Sequence, residues 1–303
     1  MLRRAIDLAK RLRTTLLRRR QQARLRRWLA RRDAADQAHM ASAPAPVRRG
    51  KALYAAPIGA SGKDLLARLI ARLGHDDFDY LIFVYDGCRF DEPVFSRCTF
   101  IHEPGIVYQY FKKYLTPERC RPYDYIVLGI EDVDIDDFCW PRFAAIMQRN
   151  HLDMASPALS AGSHSPHPIM FRQPGKVGRL VDVIEVFITV FDARAWPAFR
   201  ALIEDDYNYW GWGYVQLAQA ACGYKMGIVD CETITVTRPP TFKQACQDEM
   251  QRFLRRHAQV RRACFCAYGE LLPAAATAGQ PACPPLRRPR APSPLNPDQQ
   301  GMT

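Results

Sequence analysis

The sequence has no run of about 18 uncharged apolar residues, the length that a membrane-spanning helix requires. It has no Cys-x-x-Cys pair, so its ten cysteines do not suggest a zinc site or a redox dithiol. Arginines interrupt the segment from Leu2 to Leu17, where the apolar part of a secretory signal would lie. These absences together lead us to expect a reducing cytoplasm and free thiols. Residues 1–36 lack both glycine and proline, which predicts one unbroken helix.

Positive charge is concentrated at the start of the chain. Residues 1–32 contain 13 of the 43 lysines and arginines and one acid, Asp7, so they account for the whole net charge of +12. The rest of the chain is neutral, which argues against a fold that binds nucleic acid specifically.

The basic segment also carries an apolar stripe at helical spacing. The stripe consists of Leu2, Ile6, Ala9, Leu12 and Leu16. Such a helix suits an anionic membrane surface, so we predict a cytoplasmic protein held peripherally on the inner membrane face by residues 1–32. The alternative is a solvated basic arm that binds nucleic acid or an acidic partner without specificity.

Composition divides the chain into three parts. We predict a basic helix with a Pro/Ala linker over residues 1–46, an α/β domain over 47–255, and a helical end with a disordered Pro/Ala/Arg-rich tail over 256–303. Within the middle part, candidate strands alternate with candidate helices, which favours a mostly parallel twisted sheet with helices on both faces. In such sheets, ligands bind at the carboxyl ends of the strands.

The predicted elements follow hydrophobic runs and turn residues. The predicted strands are 52–55, Tyr80–Tyr85, 99–101, Tyr125–Leu128, 154–156, Val183–Phe191 and Met226–Val229. The predicted helices are Asp64–Leu73, Ile106–Leu115, Asp137–Asn150, Pro197–Ile203 and Val215–Cys222.

An acidic loop follows the apolar strand Tyr125–Leu128. Its acids include Glu131, Asp132 and Asp134, and carboxylates of this kind bind Mg²⁺ or Mn²⁺ together with substrate phosphates. Asp132 and Asp134 are two residues apart, so in an extended backbone they face the same side. We therefore predict that these acids hold a divalent metal, whereas Asp136 and Asp137 fit a helix cap.

The segment Pro57–Asp64 looks at first like a phosphate-binding P-loop. Pro57 replaces its first glycine and Asp64 replaces its Ser or Thr, so we interpret the segment as a strand-to-helix turn that approaches a nucleotide.

Three further features remain open at this stage. Trp210-Gly-Trp212-Gly can expose indole faces that stack on a sugar, although tryptophans more often pack in a core. Glu185 lies in an apolar run, where it is either a paired structural acid or a general base. His164 and His167 lie among serines and prolines, which favours a loop over a metal site.

The segment from Lys51 to about Phe242 resembles a little-characterised family of plants and bacteria, labelled as related to lysine-ketoglutarate reductase trans-splicing, which in turn resembles GT-A glycosyltransferases. The matching stretches are Pro57-Ile58-Gly59, Tyr85-Asp86-Gly87, Tyr123 to Ile126, Glu131-Asp132, Asp136, Ser156 to Leu159, Ile184-Glu185, Gly211-Trp212-Gly213, Gly227 to Asp230 and Pro240-Thr241. The sequence departs from the family pattern at Ile130 and Val215, which stand in place of acids, and at Val236, which stands in place of a histidine.

The resemblance implies a GT-A-like fold and transfer of a sugar from a nucleotide-sugar to an acceptor hydroxyl. The expected catalytic residues are Glu185 and Asp206. The expected donor-binding and acceptor-binding residues are Pro57, Gly59, Asp86, Trp210 and Trp212. The expected metal ligands for Mn²⁺ or Mg²⁺ are Glu131, Asp132 and Asp134.

We therefore predict a metal-dependent glycosyltransferase that builds bacterial surface glycan, with a glycan or a lipid-linked molecule as acceptor. The alternative is a nucleotide-binding or sugar-binding protein that has lost turnover, as the departures at Ile130, Val215 and Val236 would allow.

Overall fold

The computed structural model describes residues 2–42, 50–207, 211–239 and 244–274. Helices and strands alternate through these ranges. The helices are α1 Leu2–Ser42, α2 Lys63–Leu73, α3 Val107–Tyr114, α4 Pro117–Cys120, α5 Trp140–Arg149, α6 Trp196–Arg200, α7 Trp212–Cys222 and α8 Gln244–Arg256. The strands are β1 Ala52–Pro57, β2 Phe78–Val84, β3 Thr99–His102, β4 Tyr125–Gly129, β5 Val133–Asp134, β6 Met154–Leu159, β7 Arg179–Val181, β8 Ile188–Asp192, β9 Met226–Val236 and β10 Ala267–Glu270.

The strands form one mixed sheet in the order β10-β7-β9-β6-β8-β4-β1-β2-β3, with β5 paired to β9 alone. Strands β3, β2, β1 and β4 are parallel neighbours, and β6 is parallel to β9. Strand β8 lies antiparallel between β4 and β6. The α/β class and the N-terminal helix predicted from the sequence are confirmed, and the parallel arrangement holds for the half of the sheet that contains β1 to β4.

Strand β9 is long and changes partners along its length. It pairs with β6 up to Ile234, with a register shift between Val229 and Thr233, and its first residues also pair with β7. Its last two residues, Thr235 and Val236, pair with Asp134 and Val133 of β5, which follows the loop after β4. This path brings the residues just beyond Val236 next to the acidic loop, where Thr237 N–H donates to the Asp132 carbonyl at 2.9 Å.

Buried ion pairs hold β9 where its register shifts. Asp230 accepts hydrogen bonds from Arg179 Nε and Nη2 at 2.9 and 3.0 Å, and both side chains are almost fully buried. The same guanidinium donates to the carbonyls of Ile169 and Phe171, so it also fixes the loop before β7. Because Arg179 binds both Asp230 of β9 and two carbonyls of the 166–173 loop, the ion pair ties this loop to the sheet.

Helix α1 consists of an exposed part and a packed part. Side chains from Ile6 to Arg20 are exposed, whereas Gln21 and Leu25 are buried against the body. Arg32 forms an ion pair with Asp153 at 2.9 Å, which fastens the packed part. The apolar side chains of the exposed part are Ile6, Leu8, Leu12, Leu16 and Leu17. Within the described ranges, no helix combines the length and the hydrophobicity that a transmembrane span requires.

Three sequence predictions need correction here. Val183–Phe191 is not one strand: β8 begins at Ile188, because Asp182 accepts the N–H groups of Cys264 and Cys266 and the chain leaves the sheet there. The segment after residue 255 does not continue as a helix but supplies β10, which pairs with β7. The helix α1 extends into the predicted linker as far as Ser42, and residues 43–49 and 275–303, which include most of the linker and the tail, lie outside the described residues.

We predict that Asp230→Ala lowers the free energy of unfolding by about 3–5 kcal/mol, because it leaves the buried Arg179 charge without its partner. Urea denaturation measures this loss. Glu270→Ala, which removes the exposed partner of Lys176, serves as a control and should change stability by no more than about 0.5 kcal/mol. A loss below about 1 kcal/mol in Asp230→Ala would show that the buried pair does not hold β9.

Candidate active site

A cavity of about 500 Å³ opens between the loop after β4, the end of β9 and helix α8. Its volume suits a small-molecule ligand, and its lining is mainly apolar with a few charged groups. The lining residues are Val107, Ile130, Glu131, Asp132, Pro166, His167, Glu185, Val186, Phe187, Tyr207, Trp212, Val236, Arg238, Pro239, Cys246, Gln247 and Met250.

Glu131 forms part of the cavity wall, but its carboxylate already has protein partners. Its Oε2 accepts hydrogen bonds from Gly59 N–H at 2.9 Å and from Tyr85 OH at 2.7 Å. Its Oε1 accepts one from Ser61 Oγ at 3.2 Å. Glu131 thus connects the carboxyl ends of β1, β2 and β4.

Asp132 faces an arginine from the end of β9. Its Oδ1 lies 2.6 Å from Arg238 Nε, and Arg238 Nη1 lies 3.7 Å from Glu131 Oε1. Arg238 Nη2 donates to the Ser61 carbonyl at 3.3 Å. Burial raises the pKa of Asp132, and the guanidinium opposes that shift. The two acids and the arginine form one cluster at this end of the cavity.

Asp134 lies apart from this cluster. Its Oδ2 forms an ion pair with Arg68 of α2 at 3.3 Å, and its Oδ1 accepts the N–H of Asp136 at 3.0 Å. It is not among the residues that line the cavity. The shared orientation expected of Asp132 and Asp134 is therefore not found, because each carboxylate turns to a different arginine.

These contacts do not fit a preformed divalent metal site. In the part of the chain that the structure describes, no three His, Cys, Asp or Glu side chains are grouped to hold a metal ion. Both oxygens of Glu131 accept hydrogen bonds, and Asp132 is paired with Arg238. Ile130 and Val236 line the cavity and offer no ligand atoms. Binding of Mn²⁺ or Mg²⁺ at this cavity stays a prediction.

Glu185 is buried in the cavity wall, in the loop between β7 and β8. Burial raises the pKa of its carboxyl to about 8. Its Oε2 has no hydrogen-bond partner among the described residues. A group with these properties is a strong candidate for proton transfer, since its ionised form has little to stabilise it.

His167 and Trp212 stand beside Glu185. The two rings stack with centroids 4.5 Å apart at an angle of 22°, and His167 Nε2 lies 3.8 Å from Glu185 Oε2. Burial lowers the pKa of His167, so the imidazole is neutral at pH 7 and does not form an ion pair with Glu185.

A glycine positions Trp212 at the start of α7. Gly211 has a φ of 77°, and a Cβ atom at this residue would lie 1.9 Å from the Tyr108 ring. Only glycine therefore fits this turn, as the Trp-Gly-Trp-Gly pattern suggested. Trp210, the other predicted platform, lies outside the described residues.

The remaining predicted residues lie outside the cavity. Asp206 is exposed and paired with Arg256 at 2.9 Å, a contact that lowers its pKa, so it is poorly suited to act as a base. Asp86 accepts the N–H of Ala60 at 2.7 Å, which lowers its pKa. Pro57 ends β1 and Gly59 begins the following turn, beside Glu131.

Sequence reasoning missed Arg238 and the cavity wall formed by α8. It named His167 only as a loop residue. Arg238 lies two residues beyond the buried end of β9, and a charged residue so close to a strand end was a usable indication of a site there.

Comparisons with known proteins give one family and several distant structural matches. No curated protein matches this sequence. Residues 1–349 of S. aureus TarS match with a TM-score of 0.46 and 9% identity, covering 69% of this chain and 72% of the other. The same fragment in complex with UDP-GlcNAc matches with a TM-score of 0.46 and 11% identity, covering 69% and 66%.

A Desulfovibrio desulfuricans G20 protein assigned as a nucleotide-diphospho-sugar transferase matches with a TM-score of 0.36 and 11% identity, covering 58% of this chain and 78% of the other. The sequence profile of one family, described as "Protein of unknown function (DUF707)", matches residues 11–180, which is more than half of the chain. The chain therefore belongs to the DUF707 family.

Proposed function

We propose that this protein is a glycosyltransferase that moves a sugar from a nucleotide-sugar to an acceptor hydroxyl inside the cavity. The observation that supports this most directly is Glu185, a buried carboxyl with a pKa raised to about 8, whose Oε2 has no hydrogen-bond partner among the described residues. Burying a carboxyl in this way opposes folding, so its presence in a cavity wall is best explained by chemistry performed there.

In the proposed reaction, Glu185 acts as the general base. The acceptor oxygen forms a bond to the anomeric carbon while the bond from that carbon to the diphosphate breaks. The diphosphate leaves with the electron pair, and the hydroxyl proton passes to Glu185. A base whose pKa lies close to the working pH is well suited to this proton transfer.

The charges divide the cavity into two ends. Arg238 supplies positive charge at one end, next to the carboxyl ends of β1, β2 and β4, where a diphosphate would find a complementary charge. Gly59 and Asp86 at these strand ends, together with Pro57, are the proposed contacts for the rest of the donor. Glu185, His167 and Trp212 form the other end, where Trp212 offers a ring face for the acceptor.

The apolar lining of the cavity favours an acceptor with an apolar part. Val107, Phe187, Val236 and Met250 line the space and offer no group that would bind sugar hydroxyls. A lipid-linked acceptor fits these walls better than a free glycan does. It would also fit a site on the inner membrane face in bacterial surface-glycan synthesis.

The exposed part of α1 is the proposed membrane contact. Side chains from Ile6 to Arg20 are exposed on all sides of the helix and combine leucines with arginines. On an anionic surface the apolar side chains enter the interface, and each arginine contributes about 1 kcal/mol. We propose that the protein is cytoplasmic and associates with the membrane through this part.

A nucleotide-binding or sugar-binding protein without turnover is the second candidate. It is favoured by the contacts of Glu131 and Asp132, whose carboxylates already have partners within the protein. A screen of UDP-, GDP- and dTDP-sugars, with lipid and glycan acceptors, distinguishes the two functions. Release of nucleoside diphosphate that depends on acceptor supports the transferase, whereas a raised melting temperature without release in any combination supports the binding protein.

We predict that Glu185→Gln abolishes transfer but makes the protein more stable at alkaline pH. The folded-state pKa of about 8 lies above the ordinary value of 4.5, so the folded protein holds this proton more tightly than the unfolded chain does. Stability of the wild type should therefore fall between pH 4.5 and 8, by about 1.4 kcal/mol per pH unit from this group, and Glu185→Gln should remove that fall.

Thermal unfolding of both proteins from pH 5 to 8 measures the difference. Glu270→Gln is the control, because Glu270 is an exposed partner of Lys176, so this variant should keep the wild-type stability across the same pH range. Transfer that survives in Glu185→Gln, or equal stability of the variant and the wild type at pH 8, would contradict the assignment of Glu185.

We also predict that replacing Ile6, Leu12 and Leu16 together by serine lowers binding to phosphatidylglycerol vesicles by about tenfold or more, because three apolar side chains leave the interface. The melting temperature should not change, since all three are exposed. Cosedimentation with vesicles measures binding, and a double Thr14→Ser, Thr15→Ser variant serves as the control on the same helix. Binding that is equal in the triple variant and the wild type, or equal on phosphatidylcholine and phosphatidylglycerol, would refute this membrane contact.

A further inference from the structure

Arg238 occupies the position between the two acids of the cavity. Its Nε lies 2.6 Å from Asp132 Oδ1, its Nη2 donates to the Ser61 carbonyl at 3.3 Å, and its Nη1 lies 3.7 Å from Glu131 Oε1. The side chain lines the cavity and is 39% exposed to solvent. A cation is therefore already fixed at the place where a metal ion would have to bind both acids.

The guanidinium is held in place but retains capacity for a ligand. The distance of 3.7 Å from Nη1 to Glu131 is too long for a hydrogen bond, and the side chain lines the cavity, so Nη1 can donate to a ligand there. A guanidinium binds phosphate oxygens in a planar, two-pronged arrangement and does not lose its charge at any physiological pH.

The neighbouring groups hold Arg238 in position. Gly59, Ser61 and Tyr85 donate hydrogen bonds to Glu131, so its negative charge is satisfied from the side of the strand ends. Asp132 Oδ1 lies 2.6 Å from Arg238 Nε, so this acid orients the arginine. Because Glu131 has other donors, the guanidinium is left with one close carboxylate partner.

We propose that Arg238, instead of a divalent metal ion, neutralises the diphosphate of the donor. This inference rests on the proposed function, because it specifies how the same cavity binds a nucleotide-sugar. When the anomeric bond breaks, the electron pair moves to the outer phosphate of the nucleoside diphosphate, and Arg238 stabilises the charge that develops there. Nucleoside diphosphates should accordingly bind without any divalent cation.

Calorimetric titration tests this with the full chain and with UDP, GDP and dTDP, each in EDTA and in MnCl₂. We expect at least one of them to bind with dissociation constants that agree within about twofold in the two buffers. Arg238→Gln should weaken that binding by about tenfold or more, and Arg238→Lys should weaken it less, because lysine keeps the charge but lacks the planar fork.

Arg68→Gln is the matched control, since it removes an equal charge from beside Asp134 outside the cavity and should leave binding unchanged. Melting temperatures of the three variants exclude misfolding. Binding that requires Mn²⁺, or that Mn²⁺ strengthens by about tenfold or more, would overturn the role of Arg238 and leave the proposed function standing. Unchanged affinity in folded Arg238→Gln would also overturn it. Failure of all three nucleotides to bind in either buffer would overturn both proposals.

Discussion

The path of strand β9 determines the site. After its register shift it pairs with the last residues of β6 and then, at Thr235 and Val236, with β5, which brings Arg238 to Asp132. The shift places Asp230 and Glu232 in the interior, where Arg179 and Arg142 pair with them. Buried charges of this kind add little net stability, but removing one partner is costly, so they restrict β9 to a single path.

The ion pair of Arg179 also positions residues at the other end of the cavity. Arg179 holds the carbonyls of Ile169 and Phe171, and this loop carries His167 to the ring of Trp212. Glu185 lies beside this stack in a loop whose start is fixed by Asp182. The surrounding structure is therefore rigid enough to keep an ionisable group buried, although burial raises the pKa of Glu185 to about 8 and weakens the fold at alkaline pH.

The sequence predicted the elements that depend on local pattern. Helix α1 could be predicted because its first 36 residues lack glycine and proline. Strands β1, β2 and β4 could be predicted because each is a short apolar run. The sequence did not predict β5, β7 and β10, because these short strands contain no run of apolar residues. Nor did it predict the separation of Asp132 from Asp134, since their arginines come from β9 and α2, far away in the chain.

The structure brings some of the predicted site residues together and leaves others apart. Glu131, Asp132, Glu185 and Trp212 do meet in one cavity, because strand ends and the adjoining loops converge at one edge of the sheet. Asp206, which the family resemblance implied, does not join them, because Arg256 of α8 pairs with it at the surface.

The protonation state of Glu185 is the most direct test of this account. Infrared spectroscopy detects the carbonyl stretch of a protonated carboxyl, and a pH titration of the wild type against Glu185→Gln isolates the contribution of this one residue. The account predicts a protonated carboxyl at pH 7 that ionises near pH 8 and is missing from the variant. Identical spectra of the two proteins at pH 7 would mean that Glu185 is already ionised, and would contradict the raised pKa on which the account depends.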